Sequence, residues 1–304
     1  MGMNSVIGRL SIRPRRAVVG GLMAWYGIVF LVPFLIVAKI SLAHIADATP
    51  PFTPLVAFGQ SGPTLLATAA NFSSLVSDPI FVSAYLGSLR MAAVTTVLCI
   101  LIGYPIAYAI AVSPRRTRPT LLILLTIPFW TSILIRIYAW FGLLKDNGTV
   151  NGALMSLGII DHPLIIMNTM WSVYIVMVYC YLPFFVLPLY AVLEDLDTTL
   201  VEAAADLGAP PWGGFRYITL PLSLPGVLAG SLLVFIPAVG EYLIPRLVGG
   251  ASSLNIAAVL WDTFFVARDW PLAAAGTVVL LLFLLVPIAL TERLRRRAAA
   301  VAVS

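Results

Sequence analysis

The chain is 304 residues long, enough for two ordinary soluble domains, yet 61% of it is apolar and only 10% is charged, where a typical globular protein carries roughly 25% charge. That composition excludes a soluble globular protein. Cys99 and Cys180 are the only cysteines, both inside apolar runs, too few for a disulfide framework and without metal-ligand spacing. The net charge of +5 arises from short Arg blocks beside apolar stretches, a pattern suited to lipid headgroups rather than nucleic acid.

A helix needs about 20 mostly apolar residues to cross roughly 30 Å of hydrocarbon, and six such runs occur, at about 18 to 42, 87 to 112, 121 to 144, 167 to 192, 222 to 248 and 272 to 290. Arg13, Arg15 and Arg16 precede the first, as in a signal peptide, but its uncharged stretch from Ala17 to Ala38 is too long for one, so it reads as an uncleaved helix. Orientation follows the Lys and Arg count near helix ends. Arg9, Arg13, Arg15, Arg16, Arg115, Arg116, Arg118, Arg293, Arg295, Arg296 and Arg297 share one side, against Arg90, Lys145, Arg246 and Arg268 on the other. Both termini are therefore expected in the cytoplasm. The external segment 43–86, rich in Pro, Ser and Thr, is expected to be irregular with one interfacial helix.

The connection at about 193 to 221 departs from the positive cytoplasmic pattern. Glu194, Asp195, Asp197, Glu202 and Asp206 stand against the single Arg216. A net charge of −4 beside an anionic leaflet argues against lying on lipid and favours a protein partner. Thr199 and Glu202 have the spacing of a capping box, which predicts a helix starting near Leu200. Gly208 stands where a left-handed C-cap is needed, and Pro210-Pro211 stops that helix while allowing another. Leu200, Val201, Ala203, Ala204 and Leu207 make one apolar face about two turns long.

Glu202-Ala203-Ala204, then Gly208, then Ile218 and Leu220-Pro221, resembles the EAA loop of bacterial ABC importer permeases; the alternative is an ordinary amphipathic surface turn. The resemblance implies an all-α, six-span type-1 importer fold, with the loop docked on an ATPase through Glu202, Ala203, Ala204, Leu207 and Gly208. Pro128-Phe129-Trp130-Thr131-Ser132, Ile135-Arg136-Ile137-Tyr138-Ala139-Trp140, Leu182-Pro183-Phe184, Leu187-Pro188-Leu189-Tyr190, Phe235 to Glu241 and Asp269-Trp270-Pro271 are similar to permeases of spermidine and putrescine importers. Permeases for opines, other amines and some metal ions carry related motifs. The implied organisation is a tail, first helix and external segment over 1–80, a permease domain over 81–290 with its coupling loop at 193–221, and a basic tail over 291–304. The implied partners are a second, different permease, two ATP-binding subunits holding ATP and Mg, and an external solute-binding protein, all at the bacterial inner membrane.

Lys39 and Lys145 are the only lysines and neither follows a P-loop glycine pattern, so ATP hydrolysis is expected in a separate chain. No Ser/His/Asp constellation surrounds His44 or His162. Polar groups at membrane depth are costly and point to function. Glu241, beside Gly240 and between Pro237 and Pro245 in the fifth run, either faces the translocation path and attracts ammonium groups or forms a structural pair with Arg136. Tyr138, Trp140, Trp171, Tyr242, Trp261 and Trp270 gather toward the outer helix ends, as cation–π contacts for an amine or as an aromatic belt. Asp146 and Asp262, at the expected outer mouth, are candidates for steering a cation inward. Pro183, Pro188, Pro225 and Pro237 are expected to bend their helices. A lone secondary transporter or channel would explain the helices and Glu241 but not the loop spacing; a non-transporting scaffold would explain only the acidic loop.

Overall fold

The computed structural model describes residues 12–59, 62–197, 199–250 and 253–303. The start of the N-terminal tail, Arg9 included, lies outside the described residues, as do the side chains of Arg13, Arg15, Arg16, Arg295, Arg296 and Arg297. The chain forms α1 (Ile12–Tyr26), a π-helical turn (Gly27–Leu31), α2 (Val32–Ser41), β1 (Val56–Gly59), β2 (Gly62–Leu65), α3 (Ala70–Ser77), α4 (Pro79–Val112) and α5 (Arg118–Thr126). A 3₁₀ turn (Ile127–Trp130), α6 (Ile133–Leu144), α7 (Thr149–Ser156), α8 (Met170–Glu194), α9 (Thr199–Asp206) and α10 (Pro211–Gly214) follow. The chain continues through a π-helical turn (Phe215–Thr219), α11 (Leu220–Val239), α12 (Leu243–Val248), α13 (Ile256–Trp261), another π-helical turn (Asp262–Val266) and α14 (Trp270–Val303).

Among the described residues five helical segments are long and apolar enough to cross a membrane: Val18–Ser41, Pro79–Val112, Met170–Glu194, Pro211–Val239 and Trp270–Ala289. The third expected span is instead two pieces, Arg118–Trp130 and Ile133–Ser156, bent by 92°. The bend has a local cause: Thr131 and Ser132 leave helical dihedrals, and the Thr131 N–H and hydroxyl both bond the Pro128 carbonyl, which closes the 3₁₀ turn there. The fifth expected span is also corrected. Its helix ends at Val239, and a new one begins at Leu243. A proline ring clashes with the carbonyl four residues back, so Pro245 would collide with Glu241 in an unbroken helix, whereas in the first turn of α12 its missing N–H costs nothing. By contrast α8 runs through Pro183 and Pro188 without interruption.

The chain divides into two compact units. One comprises the residues up to Asp78 together with Leu260–Leu282. Within it the first apolar helix is exposed along most of its span, with Ser41 buried at its end, and Asn71 ties α3 to the end of α2 by donating to the Ser41 and Ala43 carbonyls at 2.9 Å each. The segment 43–86 contains an antiparallel hairpin, Val56 opposite Leu65, which composition did not suggest. Asp269 accepts from the Leu272 N–H at 3.0 Å, so the Asp-Trp-Pro sequence is a helix start.

The other unit, Pro79–Val259 and Phe283 onward, is built on α4, α8 and α11 packed together. Phe185 is fully buried between two glycines. A Cβ at Gly103 would lie 2.6 Å from its ring, and one at Gly230 would lie 2.7 Å from its carbonyl oxygen, so these helices approach closely only because both positions lack side chains. Small residues at such contacts replace the missing hydrophobic drive in lipid with van der Waals packing. The Tyr104 and Ser223 hydroxyls, 2.8 Å apart, join α4 to α11.

Candidate functional site

Two places in the second unit gather the residues that sequence singled out. The first is the loop from α8 to α11. Asp197 Oδ1 accepts from the Thr199 N–H at 3.0 Å, so α9 starts at Thr199 and its cap is Asp197; the Thr199–Glu202 capping box is not the device used. The aspartate takes the role because its carboxylate two residues upstream reaches the first orphan donor, and the same hydrogen bonds from Thr199 hold its carboxyl below the ordinary carboxylate range.

The other end of α9 is as expected. Gly208 has φ of +86°, and the Gly208 N–H bonds the Ala205 carbonyl at 2.9 Å while the Ala209 N–H bonds the Ala204 carbonyl at 2.9 Å. These are the paired bonds of a Schellman stop, which satisfies the last carbonyls and turns the chain into Pro211 at the head of α10. Glu202 and Ala203 are exposed, Ala204 is half-buried, and Leu207 is 90% exposed. So much bare apolar surface on a short helix is the kind of patch that suits a protein contact.

Behind the loop is a cleft of about 340 Å³ lined by Tyr108, Val112, Arg118, Leu193, Val201 and Glu202 among others. Arg118 bridges its edge, pairing with Glu194 at 3.3 Å and donating to the Ser113 carbonyl at 2.8 Å. The link from loop to bundle is Phe215, a residue that sequence reading passed over. Its ring meets Tyr104 and Tyr108 edge-on at 5.7 Å each and stacks on Trp212 at 5.3 Å. The signal was the four-residue spacing of the two tyrosines, which puts both rings on one face of α4. The π-helical turn at Phe215–Thr219 precedes Pro221, whose missing N–H removes the bond that would keep the α-helical ladder closed.

The second place is the break between α11 and α12. Glu241 Oε2 accepts from the Tyr181 hydroxyl at 2.5 Å, and Oε1 accepts from the Leu243 and Ile244 N–H groups at 2.9 and 3.2 Å. Glu241 thus caps α12 and is anchored to α8. The pair with Arg136, one of the two alternatives for Glu241, is not formed in this structure; among the described residues no ion pair engages Glu241, and Arg136 stands over the Phe129 ring at 4.9 Å. Three donors, two of them backbone groups that a helix start must satisfy, engage the carboxylate and leave it room for a further donor.

The remaining candidates scatter. Tyr242 is half-buried in the same break, Tyr138 is exposed, Trp140 packs edge-on against Tyr179 at 5.3 Å, and Asp146 is exposed between α6 and α7. Asp262 and Trp261 belong to the first unit, at the start of a π-helical turn. There Phe264 stacks on Trp270 at 4.7 Å. Within the second unit, Glu241, Tyr242 and Tyr181 share one site.

Residues 99–299 match the family model for the binding-protein-dependent transport system inner membrane component. The chain is 44% identical over 216 residues to the spermidine/putrescine transport system permease protein PotB of Escherichia coli K12, covering 71% of this chain and 78% of the relative. It is 41% identical over 211 residues to PotB of Haemophilus influenzae, covering 69% and 73%. The crystal structure of a bacterial alginate ABC transporter, in complex with an alginate pentasaccharide-bound periplasmic protein, contains a chain of the same fold. That likeness has a TM-score of 0.69 at 16% identity and covers 93% of each chain. This chain belongs to the family of inner-membrane permease components of binding-protein-dependent ABC importers.

Proposed function

We propose that this chain is one of two different permease subunits of an ATP-driven importer that moves a putrescine- or spermidine-like cation into the cell by alternating access. Its termini and the α9–α10 loop face the cytoplasm, as the Arg distribution requires. The loop seats its apolar face, Leu200, Val201 and Leu207 with Glu202, Ala203, Ala204 and Gly208, on one of two ATP-binding subunits, and these hold the ATP and Mg. An external binding protein delivers the solute to the opposite face, where Asp146 and Asp262 add negative potential and Tyr138 and Trp140 offer ring faces. When the ATP-binding subunits close, α9 and α10 move as a unit. Phe215, wedged against Tyr104 and Tyr108, passes that motion to α4 and α11.

The observation that carries the substrate class is the Glu241 carboxylate. It is a carboxylate at a helix break at membrane depth, fixed by Tyr181 and two N–H groups, with no cation upon it among the described residues. Exposed carbonyls at such a break and a preorganised carboxylate suit an ammonium group, and the kinship with PotB supports the same cargo. Glu241→Gln keeps the size and the cap acceptor but removes the charge. In vesicles holding the whole complex and its binding protein, spermidine and putrescine uptake should fall at least about tenfold, since hydrogen bonds to charged groups are worth about 1.5 to 3 kcal/mol each. Unchanged uptake and affinity would refute a path role for Glu241.

A further inference from the structure

Arg136 is the group in the second unit whose chemistry is least satisfied. Its Nε and Nη1 are sealed from solvent and have no hydrogen-bond partner. A guanidinium cannot shed its proton, and a buried charge without hydrogen bonds is the costliest kind of buried group. The single compensation visible is the Phe129 ring 4.9 Å away. Because the orphan nitrogens are enclosed by this chain, an acceptor on another subunit cannot reach them without rearrangement here, so the missing acceptor is sought within the chain.

Glu241 is the sole acid between Asp206 and Asp262 in the sequence, while Glu194 already serves Arg118. The helix that carries Arg136, α6, packs against α12, which Glu241 caps, and both pack on α8. A continuous set of rings also joins them: Phe129 meets Phe184 at 5.1 Å, Phe184 meets Tyr181 at 6.3 Å, and Tyr181 donates to Glu241. Arg136 stands in the first turn of α6, its N–H bonded to the Ser132 carbonyl at 3.1 Å, directly after the 92° bend. A change of angle at Thr131–Ser132 therefore swings the guanidinium.

We propose that Arg136 is the alternating counter-ion of Glu241: in the state of the cycle opposite to the one described here it takes the carboxylate, and in this state it has released it. This rests on the reading of Glu241 as the path carboxylate and adds a specificity residue to it. A cationic solute competes with the guanidinium for one site, while a neutral solute has nothing with which to displace it. Once the ammonium departs, closure of the pair prevents its return.

The test compares wild type, Arg136→Gln, Glu241→Gln and the double variant in the intact complex in nanodiscs, reading ATP turnover without solute and, separately, spermidine and putrescine uptake. Each single variant leaves one charge without its alternate partner, so turnover without solute should change at least about fivefold. The double variant, with neither charge, should recover most of that change. Arg136→Lys, which keeps the charge, should lie closer to wild type than Arg136→Gln. Effects that multiply in the double variant, or an Arg136→Gln complex indistinguishable from wild type, would overturn the proposal. Should a single variant fail to assemble, restored assembly in the double supports the pair and continued failure refutes it. Wild-type complex that takes up neither amine while the turnover pattern holds would refute the substrate class and leave the pair standing.

Discussion

The loop at α9–α10 and the break at Glu241 are unsatisfied in opposite ways. The loop has its polar groups settled, with Asp197 at one end and the Gly208 stop at the other, yet it leaves Leu207 and Trp212 bare at 90% and 68% exposure. Around the break, the side chains are packed and Ile244 is fully buried, but among the described residues the Glu241 carboxylate has no ion pair and two Arg136 nitrogens are sealed without a partner. In the proposed mechanism the bare apolar face takes another protein and the charged groups take a charged solute, and the two sit on different helices of the second unit.

The comparison can be broken at its charged half first. Tyr181→Phe removes one hydrogen bond to the Glu241 carboxylate, worth about 1.5 to 3 kcal/mol, and is expected to cut amine uptake about tenfold or more while the complex still assembles. Uptake equal to wild type would show that the tyrosine does not position the carboxylate.

At the loop, Gly208→Val forces a β-branched residue into φ of +86°, a strain of about 1 to 2 kcal/mol. No atom lies within 4 Å of a Cβ placed there, so the expected effect comes from the backbone. Co-purification of the ATP-binding subunit should fall up to about tenfold with membrane insertion intact; undiminished association would contradict the need for that stop.

The smallest effect concerns Asp197. Its carboxyl is held below the usual range by the bonds from Thr199, so the cap's contribution is fully present above the unfolded carboxylate range and is lost as pH falls through the depressed folded value. Hydrogen exchange at the Thr199–Glu202 amides should be slower in wild type than in Asp197→Asn at neutral pH, and the two should converge in acid. A difference that persists unchanged in acid would rule out the charged cap.

What could be read in advance followed the range of the forces involved. Gly208 and Pro211 act within a few residues, so their roles are legible, whereas the capping side chain of α9 is not, because the competing acceptor, Asp197, sits just outside the capping-box spacing. The break before α12 was written in Pro245 but masked by the continuous apolar run around it. The bend at Thr131–Ser132 was hidden in the same way, since hydropathy does not report backbone direction. The bond from Tyr181 to Glu241 spans 60 positions and exists only because α8 and α11 pack closely at Phe185 and Gly230. The hairpin at 56–65 escaped notice because Val-Ala-Phe-Gly and Gly-Pro-Thr-Leu alternate too weakly to mark a strand.

The most direct test of the whole account is site-specific cross-linking from Leu207. With Leu207→Cys carrying a short photoactivatable label in the assembled complex, the adduct should form with the ATP-binding subunit, while the same label at Leu65, 75% exposed on the hairpin, should not reach it. Labelling of the ATP-binding subunit from Leu65 and not from Leu207 would contradict the account.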